Sequence, residues 1–159
     1  MAELTLTVEV AADPAVVFAA MTDWEHQDDW MLGTTVRATH AGGQGVGGRF
    51  EARTGLGPIG FLDPMEITAW DPPWRCDVRH LGRLVRGTGS FRVEQLAAHR
   101  SRFVWSEQLD LPLGPLGRLG WVLVRPVFAA GVRRSLRRFA TWAETRSDPR
   151  TIGSPAARS

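Results

Sequence analysis

The feature that most constrains this chain lies between Val36 and Leu109, where apolar residues recur at every second position in six short runs. Val36, Ala38 and His40 share one face, as do Gly48, Phe50 and Ala52, and then Met65, Ile67 and Ala69. Trp74, Cys76, Val78 and His80 form the next set, Phe91 and Val93 another, and Phe103, Trp105, Glu107 and Leu109 the last. Glycines and prolines punctuate the runs, at Gly42-Gly43-Gln44-Gly45, at 55–60, at Asp71-Pro72-Pro73 and at Gly87 and Gly89. Connections this short cannot make the crossovers that parallel strands need, so the runs read as an antiparallel meander. Leu4 to Val10 alternates in the same way and adds a strand at the start of the chain.

Helical signals flank the meander. Asp13-Pro14 places a capping residue before proline at the first helical position, with Val17, Phe18 and Met21 as the apolar stripe. Trp24 to Trp30 reads as a second short helix. After the last strand, Phe128, Val132, Leu136, Phe139 and Trp142/Ala143 recur at steps of three and four, while Arg133, Arg134, Arg137 and Arg138 take the other face. This is a long amphipathic helix, with Pro126 expected in its first turn or at a kink. Residues 147–159 are polar and rich in Pro and Gly, so they read as a disordered tail beyond a single domain of residues 1–146.

A chain of 159 residues can bury roughly 70% of its unfolded surface, and 43% hydrophobic with 23% charged residues is a globular composition. All 19 basic residues are Arg, and Lys, Tyr and Asn do not occur. The sequence pI of 9.8 therefore reflects missing titratable groups rather than strong basicity, since the net charge is only +2. The charge is unevenly placed. Residues 1–72 carry 3 Arg and 11 acids, −8, and residues 73–159 carry 16 Arg and 6 acids, +10. That pattern suits two oppositely charged elements within one domain, and it leaves open an anionic partner.

The single Cys76 excludes an internal disulfide framework and a multi-Cys zinc site, and the four histidines show no metal-ligand spacing. No metal or other cofactor is expected. Met1-Ala2-Glu3 lacks the basic start and apolar run of a signal peptide, so none is expected, and Leu109 to Val132 is interrupted by Arg118, Arg125 and three prolines, so no spanning helix is expected there. A reduced, cytoplasmic protein is the expectation. Nucleic acid is not an expected partner, because Phe128, Phe139 and Trp142 belong to the apolar stripe rather than to the Arg face.

Taken in order, one strand, two short helices, a six-strand meander and a long final helix resemble the START-like helix-grip superfamily, also known as SRPBCC. The resemblance rests on Val8 and Val10 ahead of Asp13-Pro14, Val17-Phe18, Asp23-Trp24, Trp30 and Gly45-Val46-Gly47. It continues in Trp70-Asp71-Pro72-Pro73, Ser101-Arg102-Phe103-Val104-Trp105 and the Arg-rich final helix. Within that superfamily the chain is similar to the polyketide cyclase/dehydrase and lipid-transport branch over about residues 4–145. The resemblance implies an α+β fold, a curved antiparallel sheet wrapped around a long C-terminal helix, with a ligand cavity between them.

Strand phase then selects the residues that would line such a cavity: Trp30, Phe50, Met65, Ile67, Cys76, Val78, Phe91, Phe103, Trp105, Glu107, Phe128, Val132 and Leu136. The same aromatics would equally fill an ordinary core. Glu107 and His80 are the candidate catalytic groups. Glu107 is in phase with Phe103 and Trp105, so its carboxylate would face the interior, unless it pairs with an arginine such as Arg53 or Arg79. His80 is in phase with Cys76 and Val78, either as a proton shuttle or as an exposed strand end beside Leu81-Gly82, and His40 has the same ambiguity. Cys76 reads as a small core residue rather than a nucleophile. The Gly42–Gly48 cluster lacks the phosphate-loop pattern and joins two strands, so it reads as a glycine hairpin.

Three functions follow as expectations. The first is a carrier or sensor of a small hydrophobic molecule, lipid-, isoprenoid- or polyketide-like, and the second a polyketide cyclase/aromatase-type enzyme using the same cavity. The third is an interaction module whose Arg-rich helix meets a partner or an anionic membrane. Either a monomer or a homodimer fits.

Overall fold

A computed structural model describes residues 2–110 and 113–147. Seven strands form one antiparallel sheet: β1 (Ala2–Val10), β2 (Thr34–His40), β3 (Arg49–Leu56), β4 (Ile59–Asp71), β5 (Arg75–His80), β6 (Gly87–Ala97) and β7 (Arg100–Leu109). Their order across the sheet is β1-β7-β6-β5-β4-β3-β2. The last six strands follow one another as a meander, and β1 returns to the far edge, pairing Ala2 with Leu109 and Val10 with Ser101. Helix α1 (Pro14–Met21) and a 3-10 helix, Trp24–Asp29, lead from β1 to β2, and α2 (Gly114–Ser147) follows β7. This is the α+β helix-grip arrangement expected: an open, curved sheet holding a long C-terminal helix.

Alternation explains which face of the sheet is covered. Leu4, Leu6 and Val10 of β1 are buried while Glu3, Thr5, Thr7 and Glu9 are not, and β7 buries Ser101, Phe103, Trp105 and Glu107. Against this face lies the second half of α2, whose buried residues Ala129, Val132, Ser135, Leu136, Phe139, Ala140 and Ala143 recur at helical spacing. Phe139 is fully buried, its ring centroid 4.9 Å from those of both Trp30 and Phe103. Polar contacts fix the helix along its length. Ser135 Oγ accepts from the Leu32 amide at 3.0 Å, Glu144 accepts from the Ala11 amide at 2.9 Å, and Arg146 pairs with Asp23 at 2.9 Å.

The structure departs from the sequence reading at four places. Strand β4 begins at Ile59 rather than Met65, because the turn at Gly57-Pro58 is a tight hairpin that extends the pairing to Leu56 and Ile59. Trp74 lies outside β5 and is 43% exposed, and a register shift between Ile67 and Ala69 brings Trp70 opposite Cys76 instead. Trp70 then meets Phe18 edge-on, with ring centroids 5.1 Å apart. Helix α2 begins at Gly114, so Pro126 lies inside the helix and not in its first turn. Finally, Phe128 leaves the stripe. It is 38% exposed and packs on Trp121, with ring centroids 5.9 Å apart. The tail from residue 148 lies outside the described residues.

The glycine cluster has a structural use. The indole N–H of Trp24 donates to the Gly43 carbonyl at 2.6 Å, and a Cβ at Gly43 would lie 2.6 Å from the Trp24 ring, on a backbone with φ +65. Trp24 in turn stacks on Phe50 with ring centroids 4.0 Å apart.

Phe139→Ala removes the contact that joins α2 to the aromatic face, so it is expected to lower unfolding free energy by about 3–5 kcal/mol. Phe128→Ala, on an exposed turn, is expected to change it by less than ~1 kcal/mol. Urea denaturation of the two variants measures both.

Candidate functional site

Three strands each turn a titratable side chain inward near the end of the sheet at which α2 begins. On β4, Asp63 shares the face of Met65 and Ile67; on β5, His80 follows Cys76 and Val78; on β7, Glu107 follows Phe103 and Trp105. The register places Met65 opposite His80, so Asp63 lies one inward step beyond it. Glu107 belongs to a strand that does not touch β5, because β6 runs between them. It reaches His80 across Gly89, which pairs with Glu107 on one side and Val78 on the other. A Cβ at Gly89 would sit 2.9 Å from Val78 Cγ2 and 3.2 Å from both Glu107 carboxylate oxygens. The missing side chain is the gap through which the two groups meet.

The result is a buried array. His80 Nδ1 lies 2.8 Å from Asp63 Oδ2 and His80 Nε2 lies 3.0 Å from Glu107 Oε2. The Trp105 indole N–H donates to the other Glu107 oxygen at 2.8 Å. Asp63, His80, Trp105 and Glu107 are all buried. Burial by itself pushes the imidazole pKa down, but the hydrogen bonds and charges of Asp63 and Glu107 outweigh it and raise it to about 10. His80 is therefore an imidazolium at neutral pH, donating from both nitrogens. The three groups do not converge on a common point, and among the described residues no cluster of His, Cys, Asp or Glu is arranged to hold a metal ion.

Four buried side-chain atoms have no hydrogen-bond partner among the described residues: Gln27 Oε1, Ser147 Oγ, Asp63 Oδ1 and the indole Nε1 of Trp30. The Trp30 ring packs against Trp105 and Phe139 with centroids 6.5 Å and 4.9 Å away. Asp63 Oδ1 and Trp30 Nε1 are thus an unmet acceptor and an unmet donor buried in one interior, where each costs about 1–3 kcal/mol.

The candidate residues divide as follows. Trp30, Phe50, Met65, Ile67, Cys76, Val78, Phe91, Phe103, Trp105, Val132 and Leu136 all belong to one buried apolar cluster. Their rings close on one another: Phe91 lies 5.6 Å from Trp105 and 6.4 Å from Phe103, centroid to centroid. Phe128 stands outside this cluster, on the exposed half of α2. Glu107 is interior, and its partner is His80 rather than an arginine, since Arg79 pairs with Glu66 and Arg53 donates to the Gly57 carbonyl. His80 is buried and so not an exposed strand end, whereas His40 is exposed. Burial pushes the Cys76 thiol up to about 12, which leaves it protonated and inert at neutral pH.

Two grooves lie outside this interior. One, of about 490 Å³, is on the sheet face turned away from α2, among Thr5, Asp77, Ser90 and Arg92, and reaches Glu107 from behind beside Gly89. The other, of about 460 Å³, runs along the outer side of β1 beneath Arg133 and Arg137.

A family model described as polyketide cyclase / dehydrase and lipid transport matches residues 1–144. The chain belongs to that family. Among solved structures it is similar to the Zhui aromatase/cyclase of a Streptomyces species, with a TM-score of 0.77, 17% identity and coverage of 94% of this chain and 97% of that one. A Thermus thermophilus protein aligns with a TM-score of 0.74 at 16% identity, over 92% of this chain and 100% of that one. The di-domain ARO/CYC BexL aligns at 0.72 and 16% identity, over 94% of this chain and 48% of its own. At such identities these likenesses show the fold. No curated protein gives a significant match.

Two members of the array escaped the sequence reading of this polyketide cyclase/dehydrase-family chain. Asp63 stands two residues before Met65 in the same alternation, beyond the turn at 55–60, but a charged residue followed by Pro64 gives no apolar strand signal. Gly89 gave no signal of its own, because its role is to lack a side chain between two residues of other strands.

The sign of the His80 shift sets a pH dependence. A folded pKa raised from 6.5 to about 10 contributes stability that is complete below 6.5 and lost as the pH climbs through about 10. Wild-type stability should therefore fall between neutral pH and pH ~10. His80→Leu should lack that slope and be destabilised by about 3–5 kcal/mol at neutral pH, because two buried carboxyl groups lose their counter-charge. Denaturation at a series of pH values reads both effects.

Proposed function

We propose that the chain binds a small, largely apolar molecule, lipid-, isoprenoid- or polyketide-like, between the sheet and α2, as a carrier or sensor. An oxygen function of that molecule would meet the Asp63–His80–Glu107 array. The observation that carries this reading is the array itself, three ionisable side chains inside an aromatic interior with an acceptor oxygen and an indole donor left over. Removing an ion from water costs several kcal/mol even after relaxation, and a fold that needed only a core would fill these positions with apolar groups. Asp63 Oδ1 suits a hydroxyl of the ligand and Trp30 Nε1 suits a carbonyl. The end of the sheet near the array is lightly guarded. From Gly114 to Phe128 no residue of α2 is buried, so a ligand arriving there displaces no packed helix residue.

A second reading, a cyclase/aromatase-type enzyme, is favoured by the names of the Zhui and BexL structures. In that reading the His80 imidazolium donates a proton to a ketone oxygen while an enol carbon of the same chain adds to the carbonyl carbon. The enol O–H proton returns to the imidazole, and a later dehydration removes the new hydroxyl and an adjacent C–H proton as water. Binding ranks first because a group with a pKa of about 10 is a weak acid at neutral pH and is almost never free to act as a base.

Freshly purified protein should release an apolar molecule into organic solvent, and the emptied protein should bind Nile red saturably. Trp30→Phe, which keeps the ring and deletes the N–H, should weaken binding of a carbonyl-bearing ligand about fivefold. No extractable molecule together with no saturable dye binding would remove the reading. Turnover of a poly-β-ketone thioester, lost in His80→Gln while dye affinity persists, would put the enzyme first.

A further inference from the structure

The first half of α2 has no role in the site just described, yet its composition and exposure are unusual. The apolar stripe changes sides partway along the helix. In the second half, Val132, Leu136 and Phe139 face the sheet. In the first half the ridge is Leu116, Leu119, Leu123 and Val127, all largely exposed. Leu123 and Leu136 are separated by about 3.6 turns, which leaves them on opposed sides of the helix. The outward ridge instead continues into arginine, since Leu116, Leu123, Val127 and Arg134 follow at steps of seven, four and seven and share one face. A single outward face is therefore apolar over its first half and basic over its second.

From Gly114 to Ala143 the positive charge on this helix has no ion-pair partner among the described residues. No Asp or Glu occurs from residue 111 to 143, while Arg118, Arg125, Arg133, Arg134, Arg137 and Arg138 do. All six are exposed and none forms an ion pair among the described residues, whereas Arg37, Arg49, Arg75, Arg79, Arg100, Arg102 and Arg146 each do. Further exposed apolar residues flank the start of the helix. The β3–β4 hairpin carries Ile59 and the β5–β6 loop carries Leu84, 81% and 69% exposed. Register puts both at the end of the sheet where β7 hands over to α2, because Gly87 pairs with His80 on one side and with Leu109 on the other.

We propose that this end of the molecule docks onto an anionic lipid bilayer. The leucine ridge of α2 would lie at the acyl boundary and the arginines that continue it would meet lipid phosphates. No helix among the described residues is long and apolar enough to cross a membrane, so the contact is peripheral. Unpaired charge favours a bilayer over a second copy of the chain. A two-fold dimer through this face would set the same patch against itself, Arg134, Arg137 and Arg138 opposite their own copies. Anionic headgroups neutralise these three without that repulsion. The inference does not depend on the interior binding anything, and its test is separate from the dye and extraction measurements.

The test is flotation of the full chain with vesicles of phosphatidylcholine, with and without phosphatidylglycerol. Wild type should float with the anionic vesicles only, and progressively less as salt is added. Arg134→Gln and Arg137→Gln should each lower the partition coefficient about fivefold. Leu119 and Leu123 are 61% and 71% exposed, so Leu119→Glu with Leu123→Glu should abolish flotation while thermal melting stays as in wild type. A wild-type chain that fails to float with anionic vesicles, or floats equally with neutral ones, overturns the proposal. So does a double-glutamate variant that floats like wild type. Ultracentrifugation showing a wild-type dimer that the double variant splits would also overturn it, by assigning the ridge to a second copy.

Discussion

The inward face of the sheet is covered mainly by one helix ridge, and the densest point of that cover is where Phe139 meets Trp30 and Phe103. An open sheet of seven strands would otherwise expose every inward residue from Leu4 to Trp105 on one side. The second half of α2 packs on this face, while from Gly114 to Phe128 no residue of the helix is buried, so one helix has a buried half and an exposed half. The same cover explains the low-dielectric setting of the interior charges, since Phe139 and Trp30 close the space beside Trp105, whose N–H holds Glu107.

The Asp63–His80–Glu107 array is a consequence of sheet order as much as of residue type. The three residues come from β4, β5 and β7, and the intervening strand β6 must be thin at that level for them to meet. Gly89 supplies the thinness. Burial alone would push the histidine towards losing its proton; the hydrogen bonds and charges of Asp63 and Glu107 hold the positive charge between two acceptors. The arrangement also uses up both imidazole nitrogens, which limits His80 as a base, while Asp63 Oδ1 and Trp30 Nε1 are among the buried polar atoms without a partner among the described residues.

Much of the architecture was legible because side-chain alternation and helical spacing are local. The strand faces of β5, β6 and β7, the helix stripe from Val132 to Phe139 and the inward aim of Glu107 and His80 needed only phase. Phase was less reliable near irregular backbone. The register shift at Ile67/Ala69 exchanged Ala69 for Trp70, and the two-residue turn at Gly57-Pro58 lengthened β4 enough to bring in Asp63. Phe128 fits the helix stripe by spacing, yet it sits where the helix has run beyond the sheet, so nothing is there to cover it.

The sequence by itself determined that this chain is a meander with a long final helix, and that its acids cluster early and its arginines late. Those are properties of neighbours in the chain, carried by backbone geometry and by composition. Only the tertiary structure decided that Glu107 is partnered by a histidine rather than an arginine, that Gly89 opens the way between them, and that the α2 arginines from Arg118 to Arg138 form no ion pair among the described residues, whereas Arg146 pairs with Asp23. Each of these depends on which strands lie one apart in the sheet and on which part of the helix packs on it. Such distances are set when the sheet curves and closes on the helix, and no stretch of sequence contains them.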